Sequence, residues 1–110
     1  MNNDNVKIEY DGFVPKNEEK SLTSEVMRKI EYDSPSDSTI QYKLQKTWAG
    51  YRGHCRIVSG VGVFTAEKES KTIEALTAAI EKKIYEHLKI WKSNRFKSND
   101  LPVSDVASAS

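Results

Sequence analysis

Cysteine is almost missing from this chain: Cys55 is the only one. A lone thiol excludes an internal disulfide and a zinc site of the usual four-ligand cysteine kind. Long apolar runs are missing too, the longest being far short of the ~20 residues that a membrane span needs. No apolar segment follows Met1 in the manner of a secretion signal. These absences set the expectation of a cytoplasmic protein in a reducing compartment, with no membrane partner. Histidine is scarce, with only His54 and His87. His54 and Cys55 are neighbours on an alternating segment, so their side chains point to opposite faces and cannot act together as base and nucleophile. Cys55 shares a face with Ile57 and reads as a buried thiol, and His87, between Ile84 and Trp91, reads as a packed ring. The acids are scattered, and neither H-E-x-x-H, G-x-x-x-x-G-K nor G-x-G-x-x-G occurs. Gly60-Val61-Gly62 lacks the third glycine and the helix start of a phosphate loop. The sequence therefore predicts no catalytic residue, no metal, no cofactor, no small-molecule substrate and no enzymatic activity.

What is present suits a single small domain. The chain has 110 residues, and 37% hydrophobic content with ten aromatics supplies core material. Formal net charge is only +1, but it is unevenly spread. Residues 1–40 carry five Lys/Arg against nine Asp/Glu, residues 41–97 carry twelve against five, and residues 98–110 carry none against two. A basic block of +7 thus sits between ends of −4 and −2.

Residues 1–5 are a polar leader, and residues 98–110 a Ser/Asp/Pro/Ala tail. Neither offers an apolar face to offset the entropy of ordering, so both are expected to be disordered around a domain spanning 6–97. Val6 to Tyr10 alternates apolar and polar residues, the mark of a strand with one buried face. Leu22, Val26, Met27 and Ile30 place a helix over Ser21 to Ile30, capped by Ser21 or Thr23 and ended by Ser34-Pro35-Ser36-Asp37. A second strand runs from Ile40 toward Trp48. Gly50 and Gly53 are expected to bracket a turn at Tyr51-Arg52, with a third strand over His54 to Ser59 and a fourth after Gly60-Val61-Gly62. Ile73, Leu76, Ile80, Ile84, Leu88 and Trp91 recur every three or four residues and predict a long helix from Ser70, the expected N-cap, to Lys92. The reading is an α+β domain of β-α-β-β-β-α order: a four-stranded sheet with two helices on one face, similar to a double-stranded-RNA-binding domain.

The basic residues carry the functional signal. At ~100° per residue, Lys82 and Lys89 fall opposite the apolar stripe of the last helix, with Lys92 beside them and Lys83 flanking. Glu81 and Glu86 interrupt this face, and a solvated surface with i,i+4 pairs such as Lys82–Glu86 is the plain alternative. Arg95 and Lys97 extend the cationic end. Lys43, Lys46, Arg52 and Arg56 add charge on and between the strands, interleaved with Tyr42, Trp48 and Tyr51. A patch of this kind is the electrostatic footprint of nucleic-acid binding; Trp48 and Tyr51 read equally well as packing at a sheet end.

The run Cys55-Arg56-Ile57-Val58, a turn, Val61 to Glu67, then Thr72 to Lys83 resembles the short form of the ribosome hibernation-promoting factor and ribosome-associated inhibitor family. Ala66-Glu67 matches the family's strand end, and Ala75, Ala78, Ala79, Ile80, Glu81 and Lys82 or Lys83 match its helix. The likeness covers about residues 40–95 and implies a monomeric protein that binds the small ribosomal subunit through rRNA and silences or modulates translation in non-growing or stressed cells. The candidate RNA contacts, read from the basic residues, are Lys82, Lys83, Lys89, Lys92, Arg95, Lys97, Lys43, Arg52 and Arg56. The sequence departs from the family in its first helix, which contains Pro15, and at Tyr85-Glu86, where a basic residue is usual. The long form's second, dimerising domain is not expected after Lys97. Two alternatives stay open. One is a double-stranded-RNA-binding module, although Glu67 and Glu69 spoil the expected lysine cluster of Lys68 and Lys71. The other is a protein–protein adaptor without an RNA partner, suggested by the acidic first forty residues.

Overall fold

The computed structural model describes residues 5–100, with side chains described through Asn94. The elements run in the order β1 (Val6–Asp11), α1 (Asn17–Asp33), β2 (Thr39–Thr47), β3 (Gly50–Ser59), β4 (Gly62–Ser70) and α2 (Ile73–Asp100). The strands lie in the sheet in the order β1-β2-β3-β4. β1 and β2 are parallel, joined by α1 as the crossover, and the two hairpins β2–β3 and β3–β4 are antiparallel. The α+β order and the one-sided packing expected from the sequence are therefore the architecture found.

Alternation along each strand sorts the residues. Val6 on β1, Ile40, Tyr42 and Leu44 on β2, Cys55 and Ile57 on β3 and Ala66 on β4 face the helices and are buried. Thr23, Met27 and Ile30 of α1 and Ile73, Leu76, Ile80, Ile84 and Leu88 of α2 cover them. Trp91 closes the far end against Phe64, ring to ring at 6.4 Å. The helices are clasped to each other as well. Lys29 reaches Glu81 at 3.0 Å, and the Tyr85 hydroxyl meets the Asp33 carboxylate and donates to the Lys29 carbonyl. Tyr85, which interrupts the basic run of α2, is thus a helix-to-helix tie, and its hydroxyl is pushed well above the usual tyrosine range by burial first and by the neighbouring acid second.

Several boundaries differ from those expected. α1 starts at Asn17, ahead of Ser21, because the Glu19 carboxylate accepts the Lys16 backbone N–H at 2.8 Å. Thr23 is no cap: its hydroxyl bonds the carbonyls of Glu19 and Lys20 and meets the Tyr10 hydroxyl. α2 starts at Ile73, where the Thr72 hydroxyl accepts the Ala75 N–H at 3.1 Å; Ser70, the expected cap, ends β4 instead. The first hairpin turns at Trp48-Ala49, since Thr47 pairs with Gly50. Gly53 lies inside β3, where a Cβ would come within 3.0 Å of both Leu76 and Tyr42; its role is close approach, not a turn. Asn5, assigned to the leader, already contributes its carbonyl to the Ile40 N–H at 2.8 Å. α2 continues to Asp100, three residues into the expected tail; the rest of the leader and tail lie outside the described residues.

Candidate nucleic-acid interface

The cations singled out in the sequence do not form one patch. The sheet separates them: Lys82, Lys83, Lys89 and Lys92 lie on α2, while Lys43, Arg52 and Arg56 project from the opposite, open face of the sheet. Arg95 and Lys97 lie outside the described side chains.

On α2 the two interrupting acids are drawn aside. Glu81 is held by Lys29, and Glu86 lies 3.7 Å from Lys83, so the expected Lys82–Glu86 pair is replaced by Lys83–Glu86. Lys82, Lys89 and Lys92 remain exposed and have no ion-pair partner among the described residues. The exposed Ala75 and Ala78 leave the preceding turns of that crest low and uncharged. α1, beside it, bears Glu18, Glu19, Glu25, Glu31 and Asp33 against Lys20, Arg28 and Lys29, so the helical layer grades from acidic to basic.

The open sheet face is charge-compensated. Register aligns Asp11, Gln45, Arg52 and Glu69 in one row, Glu9, Lys43, His54 and Glu67 in the next, and Lys7, Gln41, Arg56 and Thr65 in a third. Nε and Nη2 of Arg52 both donate to one Glu69 oxygen, at 2.9 and 2.7 Å. The Glu69 hydrogen bond, more than its charge, raises the Arg52 pKa further above its ordinary value. Lys43 faces Asp11 at 3.8 Å. Arg56 alone of the three has no ion-pair partner among the described residues, with Gln41 and Thr65 at its sides.

Tyr42, read as one of the interleaved aromatics, is in the core, 1% exposed, its hydroxyl 3.0 Å from that of Thr77. Its parity with Ile40 and Leu44 was the signal that placed it inside. Tyr51 packs on Phe13 with ring centroids 5.2 Å apart and carries the Lys46 ammonium 4.7 Å over its face. Trp48 is not packing: it is 99% exposed. Cys55 is buried against Met27, and burial pushes its thiol up to about 12. No group of three or more His, Cys, Asp or Glu suited to a metal occurs among the described residues. No described helix is long and apolar enough to cross a membrane.

No protein-family model matches the sequence, and no curated protein matches it. Solved structures do match in fold. The chain is similar to the N-terminal domain of protein Y from Thermus thermophilus, with a TM-score of 0.65 at 9% identity over 77% of this chain and 94% of that one. It is likewise similar to a ribosomal subunit interface protein from Coxiella burnetii, with a TM-score of 0.69 at 13% identity over 80% of this chain and 97% of that one. The chain has the fold of a protein Y N-terminal domain and of a ribosomal subunit interface protein, the architecture that its resemblance to the hibernation-factor family implies.

Proposed function

We propose that this chain is a ribosome-associated, hibernation-type factor that binds the small ribosomal subunit through rRNA and silences or modulates translation in non-growing or stressed cells. The observation that carries this reading is the crest of Lys82, Lys89 and Lys92. These exposed cations lack acid partners among the described residues and sit on the last helix of a fold shared with a ribosomal subunit interface protein. Free ammonium groups along a rigid helix neutralise phosphates and release their condensed counterions, which supplies sequence-independent affinity. The reading makes the chain cytoplasmic, and monomeric when off the ribosome. It requires no catalytic step, since occupancy of the subunit is itself the effect.

Sedimentation of a stationary-phase lysate through a sucrose gradient tests it. The expected result is co-migration with small subunits or whole ribosomes at low salt and release as salt rises. Protein confined to the top fractions at low salt refutes the proposal.

A further inference from the structure

The largest apolar side chain in solvent stands at the tip of the β2–β3 hairpin. Trp48 is 99% exposed, in a turn whose flanking residues Thr47 and Gly50 are paired. The tip is held in place. Gly50, at φ +152°, lies so close to the β4–α2 junction that a Cβ would come 2.4 Å from the Ser70 carbonyl oxygen and 2.9 Å from the Lys71 Cα. Beneath it, Tyr51 rests on Phe13, which meets Tyr10 edge-on at 5.8 Å. Lys46 is stationed over the Tyr51 ring. Lys46 and Lys71 are both exposed, and neither has an ion-pair partner among the described residues.

We infer that this tip is a contact for unpaired RNA. Trp48 stacks on one nucleobase, and Lys46 and Lys71 take phosphates on either side. A tryptophan that anchors a protein partner is normally ringed by groups that exclude water from it. Trp48 is followed by exposed Ala49, has exposed Lys46 two residues before it, and makes almost no packing of its own. Stacking needs only one free π face with cations nearby, which is what the tip presents. Backbone pinning at Gly50 lowers the cost of ordering the hairpin tip on binding. The site lies apart from the α2 crest, so a protein bound through both would grip structured RNA with one surface and a bulged or looped-out base with the other. The inference deepens the proposed function by naming a residue and a nucleic-acid feature, and it rests on that reading for its setting on the ribosome.

Intrinsic fluorescence of the full chain carrying Trp91→Phe, which leaves Trp48 as the sole indole, tests the inference with oligoadenylate as the probe. Stacking is expected to quench Trp48. Trp48→Ala is expected to weaken oligoadenylate binding by about five- to a hundredfold, with Trp48→Phe restoring most of it and circular dichroism unchanged. Lys46→Ala and Lys71→Ala should each lower the log–log salt slope by about one unit. Unquenched Trp48, or a Trp48→Ala variant that binds oligoadenylate like the parent, overturns the inference. So does a variant released from intact ribosomes while the parent ignores oligoadenylate, since Trp48 then meets protein. Parent protein absent from ribosomal fractions but quenched by oligoadenylate upholds the tip and removes the ribosome reading.

Discussion

Gly53 shows how little room the core leaves at a single residue. A methyl at this position meets Leu76 and Tyr42, each at 3.0 Å. Neither can move aside: Leu76 is fully buried, and Tyr42 is tied to Thr77. Gly53→Ala is therefore expected to destabilise the fold by about 1–3 kcal/mol, read as a lower urea midpoint with an unchanged slope. Cys55 sets a second residue-scale expectation, in pH. Below the ordinary thiol value of 9.0 the group is protonated whether folded or unfolded. Between there and about 12 the unfolded chain ionises while the buried thiol stays neutral, so unfolding binds hydroxide and stability falls as pH rises. Tyr42, raised by burial from its ordinary 10.0, acts in the same direction. Cys55→Ala should flatten the alkaline limb of a urea-midpoint-against-pH curve, whatever its offset from the lost Met27 contact. An unchanged limb would assign the alkaline loss elsewhere.

For a single element, α2 presents two separate faces. Its stripe from Ile73 to Leu88 is buried, and its crest carries Lys82 and Lys89 in solvent. The two sets do not overlap, so the crest can be altered without touching the core. Lys82→Ala/Lys89→Ala should lower affinity for small subunits by about 1–3 kcal/mol and flatten the salt slope by roughly one to two units, with an unchanged circular dichroism spectrum. Glu74→Gln on the same helix is the control, expected to leave affinity unchanged or slightly improved. Wild-type affinity and slope in the folded double variant would return these lysines to the plain solvated-face reading. The periodicity of α2 made its buried stripe legible, but its start was not. Ser70 and Thr72 are both good capping residues, and pairing of Tyr51 with Ser70 takes Ser70 into the sheet and leaves the cap to Thr72.

For the whole molecule, the decisive feature is that two layers put the cations on two sides. The open sheet face offers Lys7, Lys43, Arg52 and Arg56 among Glu9, Asp11, Glu67 and Glu69, and its Arg52 is already committed to Glu69. The helical side offers uncommitted lysines. A ribosome-bound chain gripping rRNA through α2 should lose sedimentation with ribosomes on Lys82→Glu/Lys89→Glu reversal and keep it on Lys43→Glu/Arg56→Glu reversal. The opposite pattern would assign the RNA-facing side to the open sheet.

The sequence is enough for the element order, the one-sided packing and the burial of Cys55, because periods of two and near 3.6 record which side of a strand or helix meets the core. It also placed Lys82 and Lys89 opposite the stripe of α2, since that relation is internal to one helix. Packing of the elements sets what lies across from each charge: Glu81 goes to Lys29, fifty-two residues away, Glu69 to Arg52, and Tyr85 to Asp33. It likewise decided that Gly53 is a packing residue and that Trp48 stands free at a pinned tip. Both depend on which strand and helix come alongside, and a local pattern along the chain carries no record of its neighbours in space.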